Sequence, residues 1–235
     1  MDNVWAEHAI DSSFLVALQL ADSSLPIGRY VHSSGLEGLL EELPKNSAQV
    51  REVVEAVLLH GPGRCDAVAA AHAHRIFSTA DLELLHEVDA RLLATKLLMP
   101  ARNASTSCGR QLAKLAVQVW PHKVLDPFCR EVQQRGAGNL AVVSAALLAS
   151  RGISIKHTVL AELRGTASSL FSAAVRLGRI GSVEAQIHLN QCVPTIVQAA
   201  ERALLMDLDD MSSTTLELDI AMLRLQRNPL RLFAT

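Results

Sequence analysis

The sequence predicts an all-α protein, a single-domain bundle of about ten helices, and three observations carry that expectation. Apolar residues make up 49% of the 235 positions and charged residues 20%, too apolar for a disordered chain and enough to bury a substantial core. Aromatics are only 3%, so alanine, leucine and valine dominate the apolar share, which suits close helix packing better than a β-sandwich. Apolar residues also recur at helical spacing nearly throughout, with no convincing alternation of strand type. No Pro/Ser/Gly-rich linker interrupts the pattern, so residues 1–235 read as one domain, with 1–12 an N-terminal extension and 226–235 a C-terminal tail.

The first apolar helical stretch is broken between Leu18 and Glu37 by Pro26, Gly28 and Gly35, with Tyr30, His32, Ser33, Ser34 and Glu37 set around the break. Proline fixes φ and glycine permits positive φ, so this is a specified bend. Next, Val50, Val53, Val54, Val57 and Leu58 line one face of a helix that Asn46 caps, Gln49 completing a capping box, and His60-Gly-Pro-Gly63 ends it. A small-residue helix runs from Ala67 to Phe77; Ser78 or Thr79 caps another that passes Leu98. Pro100 marks a break before a helix from Arg102 to Trp120, and Asp126-Pro127 reads as a cap with proline at the first helical position. Gly136 and Gly138 precede a helix over Leu140–Ser150 that Gly152 ends. The stripe Leu160, Leu163, Ala167, Leu170, Ala174, Leu177 stops at Gly178, and Ser182 caps a last long helix to about Met206, kinked at Pro194. One more helix fits Leu216–Leu225.

Several function classes find little support. The formal net charge is −2, which gives no global attraction to nucleic acid or an anionic membrane. The longest apolar run, Leu140 to Ala149, is broken by Ser144 and too short for a bilayer. Asp2, Glu7 and Asp11 replace the basic start of an export signal, so a cytoplasmic location is expected, with Cys65, Cys108, Cys129 and Cys192 as reduced core thiols. Gly178-Arg-Ile-Gly181-Ser182 lacks the Gly-Lys-Ser/Thr of a phosphate loop and reads as a helix-to-helix turn. His72 and His74 are about 200° apart on a helix and cannot clamp one ion. His86 and Asp89 share a face, but a lone pair of this kind is a hydrogen-bonding pair; His60, Cys65 and His72 could meet only through tertiary folding. No CxxC, HExxH or GxSxG is present, and no catalytic or metal residue is assigned.

The polar groups of the bend could bridge its own backbone, contact a partner, or catalyse. Tyr30, the single tyrosine, is expected to pack with its hydroxyl bonded. The tail Arg231-Leu232-Phe233 is expected to dock on its own domain or on another protein, because an exposed phenylalanine forgoes about 1.5–3 kcal/mol of burial.

The run Leu25-Pro-Ile-Gly-Arg-Tyr-Val-His-Ser-Ser-Gly-Leu-Glu37 resembles the Leu-Pro-x-Gly-x-(Phe/Tyr)-x-His-Ser-x-Gly-Leu-Glu opening of the urease accessory protein F (UreF) family. Further likenesses follow in order. They are Glu87-Val-Asp89, Ser107-Cys-Gly-Arg110, Gly138 through Gly152, Leu177-Gly-Arg-Ile-Gly181-Ser-Val-Glu-Ala-Gln186, and Arg231-Leu-Phe233 followed by Ala-Thr. Departures point to a divergent branch: Leu225-Gln226 stands where members often have His-Glu, Arg29 where many have a small residue, and Thr235 for serine.

The resemblance implies an all-helical, non-enzymatic maturation factor that dimerises, binds UreD (also called UreH), and recruits the GTPase UreG to deliver nickel to apo-urease. No cofactor would be bound by this chain; nickel and GTP are handled by the partner complex. The bend with Tyr30, His32, Ser33, Gly35 and Glu37 is then assigned to UreG or the homodimer, Arg231, Leu232 and Phe233 to UreD/UreH, and Arg110 and Gln186 are further motif positions. Two rivals differ in their signatures. A helical small-molecule enzyme predicts an enclosed pocket of converging polar groups. A helical DNA-binding regulator predicts a basic face, for which Arg102, Arg110 and Lys114 are the best stripe.

Overall fold

The computed structural model describes residues 12–42, 46–135 and 138–225. The tail with Arg231, Leu232 and Phe233, and residues 1–11 of the N-terminal extension, lie outside the described residues. Within them are twelve α-helices, two 3-10 turns and no strand, two helices more than the sequence predicts, because a short helix forms after the bend at Leu36–Glu42 and the long helix expected after Ser182 is divided.

Helix α1 (Ser13–Ala21) leads into the bend, whose 3-10 turn is Arg29–Val31; α2 (Leu36–Glu42) follows. In α3 (Ser47–His60) the predicted stripe is realised, with Val50, Val54, Val57 and Leu58 buried, each such side chain contributing about 1.5–3 kcal/mol. Asn46 Oδ1 accepts from the Ala48 amide at 3.0 Å as predicted, but Gln49 Oε1 has no hydrogen bond, so the reciprocal half of the box is missing.

The described chain continues with α4 (Asp66–Phe77), α5 (Leu82–Thr95), α6 (Met99–Val119), α7 (Leu125–Arg135), α8 (Leu140–Ser150), α9 (Ile155–Arg176), α10 (Ser182–Gln191), α11 (Val193–Leu205) and α12 (Leu216–Leu225). The centre of the bundle is α4, packed on α5, α8, α9 and α11. Its alanines at 67, 69, 70, 71 and 73 are all buried; lacking bulk, they admit neighbouring helices on several sides. Ala67, Val68 and Ala71 belong to one apolar cluster, formed with α2, α3 and α9–α12. Ala69, Ala70 and Ala73 belong to the other, formed with α5–α8. α4 therefore joins two half-cores into one domain.

Several boundaries differ from expectation. The Ser78 and Thr79 hydroxyls donate back to the Arg75 and Ile76 carbonyls, both at 2.7 Å, and close α4. The next helix, α5 (Leu82–Thr95), is capped instead by Asp81, which accepts from the Leu84 amide at 3.1 Å. It stops at Thr95 rather than past Leu98, and Arg102 Nε donates to the released Lys96 carbonyl at 2.6 Å. α6 (Met99–Val119) carries Pro100 in its first turn, where a missing amide costs nothing. Asp126 is not a cap. It lies inside α7 (Leu125–Arg135) and accepts from the His122 amide at 3.0 Å, while His122 Nδ1 accepts from Val124 at 3.2 Å.

α8 (Leu140–Ser150) is buried on nearly every side and ends at Gly152, φ 77°; α9 (Ile155–Arg176) ends at Gly178, φ 64°, both as predicted. The long helix expected after Ser182 is two, α10 (Ser182–Gln191) and α11 (Val193–Leu205), separated at Cys192. Pro194 has no N–H to continue the ladder and sits in the first turn of α11. Ser182 is the first helical residue; the Gly181 amide is satisfied by Glu184 Oε2 at 3.2 Å. α12 (Leu216–Leu225) closes the described chain against α2.

Candidate functional site

The bend takes its shape from three residues with positive φ: Gly28 at 80°, Ser34 at 51° and Gly35 at 85°. It is strapped to α9. Arg29 Nη2 donates to Glu162 Oε1 at 2.9 Å, to the Glu162 carbonyl at 3.1 Å and to Thr166 Oγ1 at 3.0 Å. Gly165 makes room for this, since a Cβ there would lie 2.6 Å from Arg29 Nη1. Ser169 Oγ donates to the Arg29 carbonyl at 3.2 Å, and Arg176 donates to the Tyr30 carbonyl.

The two halves of the bend face different ways. Ser33, Gly35 and Glu37 are buried; a Cβ on Gly35 would stand 3.0 Å from Leu218, and one on Gly38 would stand 2.5 Å from the Ala221 carbonyl. These positions seat α2 on α12 and present nothing outward. His32 is half-buried, and burial pushes its pKa below the usual histidine value. Tyr30 is half-buried at the surface. Among the described residues its hydroxyl has no hydrogen-bond partner, unlike the bonded phenol expected.

Tyr30 forms one wall of an open groove of about 430 Å³, opposite Gln186 on α10. Phe171, Ala185 and Leu189 supply an apolar floor, and Ser23, Ser168, Ser172 and Ser182 supply hydroxyls. Arg176, in the last turn of α9, is the cation of the groove, and no carboxylate lines it among the described residues. Such a surface can receive hydrogen-bond acceptors and negative charge from a docking protein.

A second, central cavity of about 190 Å³ collects Arg29, His32, Cys65, Asp66, Lys96, Cys108, Glu162 and Thr166. Polar groups do converge there, as an enzyme would require; Arg29 is paired with Glu162 and Lys96 with Asp66, and Asp219 also lines the cavity. Lys96 Nζ holds Asp66 at 2.8 and 2.9 Å. Burial alone would lower the Lys96 pKa, and Asp66 beside it, with Cys65 and Glu162, more than compensates, holding it above the usual value. Burial, reinforced by Asp66, pushes the Cys65 thiol up to about 12, the opposite of an activated nucleophile.

The remaining motif residues serve packing. Asp89 is fully buried and accepts from the Gly138 amide, the Asn139 amide and Asn139 Nδ2, each at 2.7 Å. Gly109 lets α6 touch this turn, since a Cβ there would lie 2.1 Å from the Gly138 carbonyl. Arg110 is exposed beside it and lines neither groove nor cavity. His72 and His74 point to different neighbours, the Met206 carbonyl at 2.9 Å and the Ile153 carbonyl at 2.7 Å. His86 pairs with Glu131 at 2.8 Å rather than acting with Asp89. Among the described residues no three His, Cys, Asp or Glu side chains converge as a metal site. The basic stripe is broken by Arg102, which closes the end of α5. No described helix is long and apolar enough to cross a membrane.

Sequence reasoning missed Asp66, Lys96, Glu162 and Arg176. One signal was legible for the α9 face: Glu162, Thr166 and Ser169 recur at i, i+4 and i+7 and so share one side of the helix.

The UreF family model matches residues 45–193. The chain belongs to the UreF family. It is similar to the urease accessory protein UreF of Rhodopseudomonas palustris (strain BisB5), 32% identical over 213 residues, covering 89% of this chain and 86% of that one. The same protein from Trichodesmium erythraeum is 29% identical over 228 residues, covering 95% and 97%, and that from Nostoc sp. is 30% identical over 224, covering 95% and 96%. A UreF protein is an accessory factor for urease and not a catalyst.

Proposed function

We propose that this UreF protein matures urease in the cytoplasm by bridging UreD/UreH to the UreG GTPase, so that GTP-dependent nickel insertion can proceed into the urease apoprotein. The chain acts as a homodimeric scaffold; nickel is cargo and GTP is the partner's substrate. The observation that carries this reading is the groove itself. It places Tyr30 of the opening signature and Gln186 of the later motif, 156 positions apart in sequence (186 minus 30), around one cation and an apolar floor. We assign the groove to UreG and the tail Arg231–Phe233 to UreD/UreH.

Copurification tests both assignments. Arg176 is exposed and gives one hydrogen bond to the Tyr30 carbonyl, so Arg176→Glu should lower Tm by only about 2–4 °C, reduce UreG capture about tenfold or more, and retain UreD/UreH. Removing residues 226–235 should give the reverse. Undiminished UreG capture by Arg176→Glu would refute the groove assignment, and undiminished UreD/UreH capture by the truncated chain would refute that of the tail.

A further inference from the structure

We infer that the small cavity between α1 and α9 is a binding site for one structural water molecule, held by Ser144 of α8 and by Thr158 and Glu162 of α9. The cavity measures about 50 Å³. Ala17 and Leu20 of α1 cover it, and α8 and α9 face them from the other side.

Two buried oxygens point to the occupant. Thr158 is 1% exposed and Glu162 7%, and Thr158 Oγ1 and Glu162 Oε2 have no hydrogen-bond partner among the described residues. The other carboxylate oxygen of Glu162, Oε1, accepts from Arg29 Nη2 at 2.9 Å. Buried polar atoms are as a rule hydrogen-bonded, so these two require a partner that the neighbouring side chains do not supply. Ser144 lies on the same cavity. It is the one polar residue between Leu140 and Ala149, and the cavity gives its hydroxyl a place in an otherwise apolar helix. Of the other polar groups there, Asp22 Oδ1 accepts from the Ser24 amide at 2.8 Å, Arg29 Nη2 serves Glu162 and Thr166, and Tyr30 also walls the groove.

The chemistry of the two oxygens selects water. Their shared partner has to accept from a hydroxyl and donate to a carboxylate. An ammonium ion only donates, and a halide only accepts and would confront the Glu162 charge. Water does both and keeps a further bond for Ser144, the usual number for a buried water being about three. The spacing agrees. Residues four apart on a helix are neighbours about 5–6 Å apart, and two hydrogen bonds of about 2.8 Å laid end to end span that distance. A water needs about 10–15 Å³ for its centre, which this cavity provides. Ala70 and Leu112 wall the remainder, so the water is confined to the polar side. It completes the shell of the carboxylate that pins Arg29, and both oxygens of Glu162 then hold the bend on α9.

Two measurements on the full chain test the site. A crystal structure should show a water oxygen within about 3.2 Å of both Thr158 Oγ1 and Glu162 Oε2. Thr158→Val keeps the side-chain shape and removes the hydroxyl, so the water loses a partner and Tm should fall by about 2–4 °C. In a dry cavity the wild-type hydroxyl is an orphan, and the same substitution would raise Tm. A Tm at or above wild type, or crystals in which the cavity is dry or its water bridges neither pair, overturns the inference. If the valine variant does not fold, the wild-type crystals decide alone. Neither readout involves a partner protein, so a failed UreG capture leaves this site untouched.

Discussion

Replacing Asp89 by asparagine changes almost no volume, so its effect isolates what the carboxylate does. The side chain is 0% exposed and accepts three N–H groups at 2.7 Å from the 138–139 turn that begins α8. Oδ1 takes two of them and Oδ2 takes one. The best placement of an asparagine keeps its oxygen at the Oδ1 position, where two bonds survive but lose their charge assistance. Its amide then meets the Gly138 N–H donor to donor. An unsatisfied buried donor costs about 1–3 kcal/mol, and each charge-assisted bond exceeds a neutral one by about 1 kcal/mol. The sum is about 3–5 kcal/mol, or about 6–20 °C in Tm for a chain of this size. Thermal unfolding followed by circular dichroism measures it. Glu87, two residues earlier in the same motif, is the control. It is 48% exposed and pairs with the exposed Arg91, so Glu87→Gln should change stability by no more than about 0.5 kcal/mol. If Asp89→Asn melts within about 2 °C of wild type, the turn is not held by that carboxylate, and the motif has to be explained otherwise.

The other predictions can be checked with the same protein. Gly35→Ala combines a φ of 85° with a contact 3.0 Å from Leu218 and should cost about 2 kcal/mol or more in urea unfolding; Gly178→Ala, with φ 64° but open space, should cost only about 1 kcal/mol. Lys96→Ala strands Asp66 beside the central cavity and should destabilise by about 3 kcal/mol, whereas a combined Lys96→Met, Asp66→Asn variant should recover part of that loss. The thiols of Cys65, Cys129 and Cys192 are pushed up to about 12, chiefly by burial. At neutral pH the folded chain should therefore alkylate far more slowly than the unfolded one, as read by mass spectrometry of iodoacetamide adducts.

The parts of this fold that sequence reveals are those decided locally. Asn46, Gly152 and Gly178 act within a few residues of where they stand, so the ends of α3, α8 and α9 could be placed beforehand. Competition between equally local groups is harder to resolve. Ser78, Thr79 and Asp81 could each cap α5, and the two hydroxyls instead bond back into α4. At the start of α7, His122 takes the capping role expected of Asp126. Proline at 194 was visible, but whether it kinks a helix or begins a new one depends on packing around Cys192, which sequence does not display. For the groove, Tyr30 and Gln186 were each singled out by the family resemblance, and only the tertiary fold brings them to one place. Arg176 escaped notice because an arginine in the last turn of a helix already has a local explanation in the helix dipole.

The distribution of charge favours the proposed docking on the outer groove over the central cavity. Where the two half-cores meet around α4, two ion pairs lie largely buried among the described residues, Lys96 with Asp66 and Arg29 with Glu162. Buried pairs of this kind add little net stability over apolar packing, yet breaking one is expensive, so they act as registration pins between segments distant in sequence. The Arg29–Glu162 pin spans 133 positions and fixes the bend on α9. With Arg29 committed inward, its neighbour Tyr30 is directed outward to the groove, and Arg176 bonds the Tyr30 carbonyl from the far side. The inward residue therefore sets the position of the outward one. Arg29→Ala should accordingly weaken UreG capture although Arg29 does not line the groove, and Tyr30→Ala should weaken it with a stability cost of only about 1–2 kcal/mol, because its ring is half-exposed. If Arg29→Ala left both the melting curve and UreG capture intact, the bend would be held by its glycines alone, and the coupling between interior pin and exterior groove would be wrong.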